Sequence, residues 1–358
     1  MENELILTIK PELLDTKIAI YQNTDLFFLK PIKHDRENLK KFKKITDQYQ
    51  YRSKVIVDEL DMAEIKVDQI RVVIARGGMV KPIKSGVYIV NEKLKHDLIN
   101  SPVGEHSANL GGLIADDIAG ILPHARAFIA DPVVVDEMDD IARFSGLPGI
   151  KRKSIFHALN QKAVARKYAK SVMKKYEDLN LIIVHLGEGI SIGAHQKGKV
   201  IDVNQAFDGE GPFSLERSGS LPMTDLVRMC FSGDYSQEQI FNIIRNEGGI
   251  YAYLGTSNAY EIEQKIEEGD KEAIMVLEAM AYQVSKYIGS MYPVLKGEVD
   301  AILLTGDIAH NKWFNNQIKE RVTQIAPVYI YPGECIAEAL AMNALMVLKG
   351  EMEVLEYK

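Results

Sequence analysis

The chain has 358 residues, with 43 Lys and Arg against 50 Asp and Glu, and so a formal net charge of −7. That acid excess offers no footing for a surface that grips nucleic acid or an anionic membrane. With 46% hydrophobic and 26% charged residues the composition is that of a globular protein, and the length favours two domains.

Strands are expected at Leu5 to Ile9, Lys17 to Tyr21 and Leu26 to Leu29, with a short turn at Gln22-Asn23. The same pattern recurs at Leu181 to His185, Ile190 to His195 and Lys199 to Val203, around the turns Gly187-Glu188-Gly189 and Gln196-Lys197-Gly198. A polar residue, Thr16 or Ser191, opens the second strand of each copy. Two such units far apart suggest a duplicated architecture, each copy founding its own sheet. Between them, Arg71 to Ala75 stops at Gly77-Gly78 and Ala127 to Ala130 stops at Asp131-Pro132, apolar runs that end at turn residues as buried strands do.

A helix is expected from Ala158 to Asp178, because Val164, Tyr168, Val172 and Tyr176 recur every four residues. The domain crossing is placed there, giving a first domain of residues 1–157 plus a C-terminal helix at 336–358, and a second of 158–335. A helix near Ala273 to Leu295, strands at Ala301 to Leu304 and Val328 to Tyr331, and a terminal helix through Leu340, Ala344 and Val347 complete the chain. The run Lys40-Lys41-Phe42-Lys43-Lys44 reads as a solvated helix face.

Nothing approaches the ~18 uninterrupted apolar residues of a membrane span. Met1-Glu2-Asn3-Glu4 lacks the basic-then-apolar pattern of a secretory signal, and Cys230 and Cys335 are too few for a disulfide scaffold or a cysteine zinc site. A cytoplasmic α/β protein with no nucleic-acid or membrane partner is expected.

Four places join a reactive side chain to a strand end or a turn. Arg76 precedes two glycines; it either forks onto a carboxylate or phosphate, or makes a surface ion pair. Asp131 closes a strand and either orients a partner or caps a turn. His157 opens a helix, as a cap, a core histidine or a site residue. Arg217 sits in the small-residue loop Glu216-Arg217-Ser218-Gly219-Ser220-Leu221-Pro222. No metal cluster, nucleophile elbow or Gly-x-x-x-x-Gly-Lys sequence is present in the chain.

That last loop resembles the butyrate kinases. So do Asp131-Pro132-Val133-Val134-Val135-Asp136-Glu137-Met138, Phe156-His157-Ala158-Leu159-Asn160-Gln161-Lys162 and Asp208-Gly209-Glu210-Gly211-Pro212-Phe213. The family is related to acetate kinase and belongs with sugar kinases, actin and the heat-shock ATPases. The resemblance implies an α/β fold of two ribonuclease-H-like domains, duplicated mixed sheets flanked by helices, with an interdomain cleft that closes over a nucleotide. It implies reversible phosphoryl transfer between ATP and a short-chain carboxylate with Mg2+, and a homo-oligomer, at least a dimer. Arg76 and Arg217 would hold the carboxylate and the transferring phosphoryl group, and His157 would donate to that group. Asp131 would order the magnesium or the carboxylate. Electrostatics and positioning do most of the work in such a transfer.

The resemblance assigns the nucleotide side to Thr16, Lys17, Gly187, Gly189, Ser191, Gly306 and Gly333, and there the chain departs from the family. The family's Asn-Pro-Gly-Ser-Thr-Ser is Lys10-Pro11-Glu12-Leu13-Leu14-Asp15 here, before the expected Thr16-Lys17. His-Leu-Gly-Gly-Gly-Ile-Ser becomes His185-Leu186-Gly187-Glu188-Gly189-Ile190-Ser191, and Thr-Gly-Gly becomes Thr305-Gly306-Asp307. The family's Pro-Gly-(Ser/Glu)-Asn-Glu becomes Pro332-Gly333-Glu334-Cys335-Ile336. A side chain in place of glycine blocks close backbone approach and forbids some backbone angles. A carboxylate ~5 Å from a phosphate charge costs roughly 3 kcal/mol at an effective dielectric near 20. Three outcomes stay open: a ligand-binding or regulatory relative impaired with ATP, an active carboxylate kinase with a rearranged site, or a non-catalytic subunit of an active relative.

Overall fold

The computed structural model describes residues 4–358; Met1-Glu2-Asn3, weighed above against a secretory leader, lie outside them. The chain forms two compact units, the first holding the residues up to Val135 together with Cys335–Lys358, the second Asp136–Glu334.

In the first unit β1 (Leu5–Pro11), β2 (Asp15–Gln22) and β3 (Asp25–Lys33) form an antiparallel meander. Strands β4 (Ile70–Arg76) and β6 (Arg126–Ala130) then run parallel to β1. The sheet has the order β12-β5-β6-β4-β1-β2-β3, with two short strands, β5 (Val87–Ile89) and β12 (Val354–Glu356), that the sequence reading lacks. Helices α1 (Tyr49–Met62) and α2 (Asn109–Ile121) pack together, and α2 lies on β4 and β6.

The second unit repeats the scheme. The meander β7 (Asn180–Leu186), β8 (Ile190–Gln196), β9 (Lys199–Val203) is followed by parallel β10 (Ala301–Gly306) and β11 (Val328–Pro332), in the order β11-β10-β7-β8-β9. All seven residues of β7 are buried, and its five aliphatic ones alternate between two cores. Leu181 and Ile183 meet Val164, Ala165 and Tyr168 of α3 (Ala158–Ser171), whereas Ile182, Val184 and Leu186 meet Val284 and Ile288 of α4 (Lys271–Val294) and Phe314 and Ile318 of α5 (Lys312–Val322). A strand covered on both faces is mostly apolar, broken here only by Asn180 and His185, and each buried aliphatic side chain contributes about 1.5–3 kcal/mol. The terminal helix α6 (Ile336–Leu348) returns to β1 and β4 of the first unit.

The duplication of mixed sheets flanked by helices is therefore present. Three local expectations need correction. The four-residue periodicity runs past the end of α3, which stops at Ser171 because Met173 takes a left-handed conformation (φ 54°). Lys40 to Lys44 are turn and loop rather than helix, though the lysines are exposed. Residues 136–157, expected with the first domain, pack in the second unit. Glu137 pairs with the buried Lys162, the Asp139 N–H donates to Ile201 O, and Arg152 pairs with Asp202 and Glu210. Among the described residues no helix is long and apolar enough to cross a membrane.

Candidate functional site

In each unit the candidate residues collect at the carboxyl edge of the parallel strands, where open α/β sheets bind ligands. In the first unit Arg76 ends β4 opposite Ala130 of β6, so Asp131 is its neighbour across the sheet edge. The two turns interlock: a Cβ on Gly77 would come within 2.5 Å of Pro132 Cβ, and one on Gly111 of α2 within 2.2 Å of Arg76 O. Asp131 is buried and held at φ 37°, a strained backbone for a residue with a side chain. Its Oδ1 accepts from Ser85 Oγ at 2.6 Å and from the Gly86 N–H at 2.9 Å. Among the described residues no hydrogen bond or ion pair reaches the half-buried Arg76 guanidinium.

The β1–β2 turn, expected to face a phosphate, is organised by a residue absent from the sequence reading. Arg52 of α1 is fully buried and donates to Glu12 O at 2.8 Å, Leu13 O at 2.9 Å, Asp15 O at 3.0 Å and Thr16 Oγ at 3.1 Å. Burial pulls its pKa down to about 10 against the opposing pull of Asp15. Thr16 is buried too, its hydroxyl set between Arg52 and His34 Nε2 at 2.8 Å. Burial, and then the Arg52 charge, lower the His34 pKa to about 4. The Glu12 carboxylate lies 2.7 Å from Lys10 Nζ and 3.2 Å from Lys17 Nζ. Burial raises its pKa, but the two ammonium groups outweigh that and the net shift is downward. Asp15 is pushed upward by burial and by the charge of Glu12. Arg52, Ile56 and Leu60 stand four residues apart on one buried stripe, so an arginine in an apolar register was the available clue.

In the second unit His157 holds the N-cap position of α3, its side chain making no capping bond. Its ring stacks on that of His185, centroids 3.6 Å apart at 12°, and Nδ1 lies 2.9 Å from Ser191 Oγ. His185 is buried between Asn160 Nδ2 at 2.8 Å and Glu334 Oε1 at 3.3 Å. Asn160 also donates to Thr305 Oγ, which donates to Gly333 O. His185, Asn160 and Glu334 were not singled out from sequence. Asn160, Gln161 and Lys162, buried in succession on one helix, are the sign that could have found them.

Arg217 donates to Ala206 O and lies 5.3 Å over the Phe207 ring. A Cβ on Gly189 would come within 2.0 Å of its NH1, and one on Gly187 within 2.8 Å of His185 Nε2. Gly306 (φ 92°) and Gly333 (φ 83°) exchange backbone hydrogen bonds, and Gly306 approaches Leu186 O too closely for a side chain. Gly187, Gly189 and Gly306 are thus retained where a neighbour fills the space of a side chain, and Gly333 where φ is positive. Glu188 and Asp307 are exposed and neither has a positive φ, so the expected backbone strain is absent and only charge and bulk distinguish them from glycine. Ile336 is buried at the start of α6, an apolar contact where the family places an acid.

A profile of the acetokinase family matches residues 145–329. Butyrate kinase 1 of Clostridium acetobutylicum is 51% identical over 353 residues, and butyrate kinase 2 of the same organism 50%, each alignment covering 99% of both chains. Among solved structures, acetate kinase of Porphyromonas gingivalis superposes with a TM-score of 0.79 at 17% identity, covering 97% of this chain and 100% of that one. A propionate kinase of Francisella tularensis superposes with a TM-score of 0.76 at 16% identity, covering 95% and 98%. These two likenesses concern the fold.

Proposed function

The chain belongs to the butyrate kinases of the acetokinase family, and from that premise we propose that it keeps the carboxylate or acyl-phosphate side of the family's site while ATP-dependent transfer is impaired. The observation that carries this reading is the Glu12 carboxylate held by both Lys10 and Lys17. The cations of the β1–β2 turn are already matched by an anion of the chain, and the turn's carbonyls converge on Arg52. A triphosphate does not fit that turn as it stands, since it would have to displace or face a carboxylate. Glu188 and Asp307 add exposed acids at the other carboxyl edge. Asp131, the residue expected to order Mg2+, has Oδ1 engaged by Ser85 and Gly86, and among the described residues no three His, Cys, Asp or Glu gather as a metal site. We therefore assign no step to ATP or magnesium.

Each unit carries donors of the kind a carboxylate or acyl phosphate needs, the Arg76 guanidinium in the first and the His157 imidazole and Arg217 guanidinium in the second. We place the protein in the cytoplasm as a homo-oligomer. The helix Met223–Cys230, which buries none of its residues and precedes the 86% exposed Phe231, supports an uncovered contact surface. The competing reading, an active short-chain carboxylate kinase with a rearranged nucleotide site, draws on the exposure and ordinary backbone of Glu188 and Asp307.

Acyl-phosphate formation from ATP, magnesium and butyrate, trapped as hydroxamate, separates the two. We expect turnover far below that of an ordinary butyrate kinase, a thermal shift with butyrate or butyryl phosphate, and none with ATP. Turnover within tenfold of such an enzyme overturns the proposal.

A further inference from the structure

Behind His157 the second unit buries a line of polar side chains. Gln161, Ser191 and His195 are fully buried and Tyr176 nearly so. Buried away from water, each donor and acceptor must find a protein partner, so the proton positions follow from what each atom can do.

Gln161 Nε2 lies 3.1 Å from the Ser191 backbone oxygen. A carbonyl only accepts, so this end of the amide is the NH2 group and Oε1 is the other end. Oε1 faces His195 Nε2 at 2.8 Å, and that nitrogen must therefore carry a proton. Burial, then the charge of Lys162, hold the His195 pKa well below its usual value, so the ring is neutral. Its Nδ1 accepts from the Tyr176 hydroxyl at 2.6 Å. At the other end Ser191 Oγ accepts from Gln161 Nε2 at 2.8 Å and from the His157 backbone N–H at 3.4 Å. With both lone pairs engaged, the serine proton has one place to go, His157 Nδ1 at 2.9 Å. The His157 ring is then neutral, with its proton on Nε2, and the His185 stack fixes its plane.

We propose that Tyr176, His195, Gln161 and Ser191 form a positioning relay that locks His157 in the Nε2–H tautomer, so that it presents a single N–H donor to an anionic oxygen of its ligand. Ser191, which the family resemblance gives to the nucleotide, acts here on the histidine. An outer partner that selects the tautomer of a working histidine is a general device, and four buried polar side chains in a core that apolar ones could fill call for such a reason. The donor role rests on the function proposed above, whereas the tautomer does not.

Ring nitrogen NMR of the full chain labelled with 15N-histidine tests it. In the wild type His157 should show one tautomer, protonated at Nε2 and bare at Nδ1. Ser191→Ala should give a mixture of tautomers and weaken butyryl phosphate about tenfold. Gln161→Met keeps the backbone N–H that donates to His157 O and removes only a side chain bonded to Ser191 and His195, and it should shift the tautomers in the same direction. A wild-type His157 protonated at Nδ1 overturns the relay whether or not either variant folds, and so does an unchanged tautomer in Ser191→Ala. A changed tautomer with unchanged butyryl phosphate affinity supports the relay and refutes His157 as the ligand's donor.

Discussion

Replacing Glu12 by Ser removes the anion that Lys10 and Lys17 share, and its effect can be worked from the geometry. The carboxylate stands 2.7 and 3.2 Å from the two ammonium groups, with its side chain 30% exposed. Ion pairs this accessible are worth up to about 1 kcal/mol each. A phosphate held by the same lysines, about 5 Å from the carboxylate, meets roughly 3 kcal/mol of repulsion at an effective dielectric near 20, and screening at this exposure reduces it to about 1–2 kcal/mol. Glu12→Ser should therefore tighten binding of inorganic pyrophosphate about tenfold, equivalent to about 1.4 kcal/mol. Isothermal titration of wild type and variant measures this, with Glu278→Gln, an exposed acid of the second unit paired with Arg321, as the control for net charge. The gain should shrink in molar salt as the Debye length contracts to about 3 Å. Equal affinity in Glu12→Ser and wild type, or an equal gain in the control, refutes the local argument.

Arg52→Met strips four hydrogen bonds from the β1–β2 turn and should cost about 3–5 kcal/mol in urea unfolding; a loss under about 1 kcal/mol would show that the turn holds without it. His34 has a folded-state pKa of about 4, below its ordinary 6.5, so its contribution is complete above pH 6.5 and lost as pH falls towards 4. On the order of 3 kcal/mol should disappear over that window, and His34→Gln should flatten the stability profile there. Gly189→Ala should push the Arg217 guanidinium off Ala206 O, itself 3.1 Å from the new Cβ, and weaken butyryl phosphate about tenfold, at a stability cost of about 1–3 kcal/mol by thermal unfolding. Tyr357→Phe removes the hydroxyl that donates to the buried Asp97 at 2.6 Å, and thermal unfolding should show a loss of about 1–2 kcal/mol.

Much of the fold was legible because burial leaves a local imprint. The two meanders, the buried parallel strands and helices such as Lys271–Val294 carry their periodicity in consecutive residues. The short strands Val87–Ile89 and Val354–Glu356 were not legible, since three residues carry no period and the pairing of the chain's end with β5 is a long-range event. The end of the helix at Ser171 was hidden as well, because the left-handed turn at Met173 carries no glycine to announce it.

For the candidate site the division is sharper. By itself the sequence determined the duplicated α/β scheme, the family, and the exchange of glycine and hydroxyl residues for Glu12, Asp15, Glu188 and Asp307, since all of these are properties of consecutive letters. Only the tertiary structure decided what those letters do. Glu12 meets Lys10 and Lys17 because β1 and β2 set the two lysines opposite one another. Gly189 must stay small because Arg217 arrives from a distant loop, whereas Glu188 beside it faces solvent. Arg52, 40 residues away in the chain from Glu12, holds the turn through carbonyl oxygens that every residue type possesses. Backbone acceptors and the space filled by a remote side chain leave no mark on residue identity, and so they become visible only once the chain has packed.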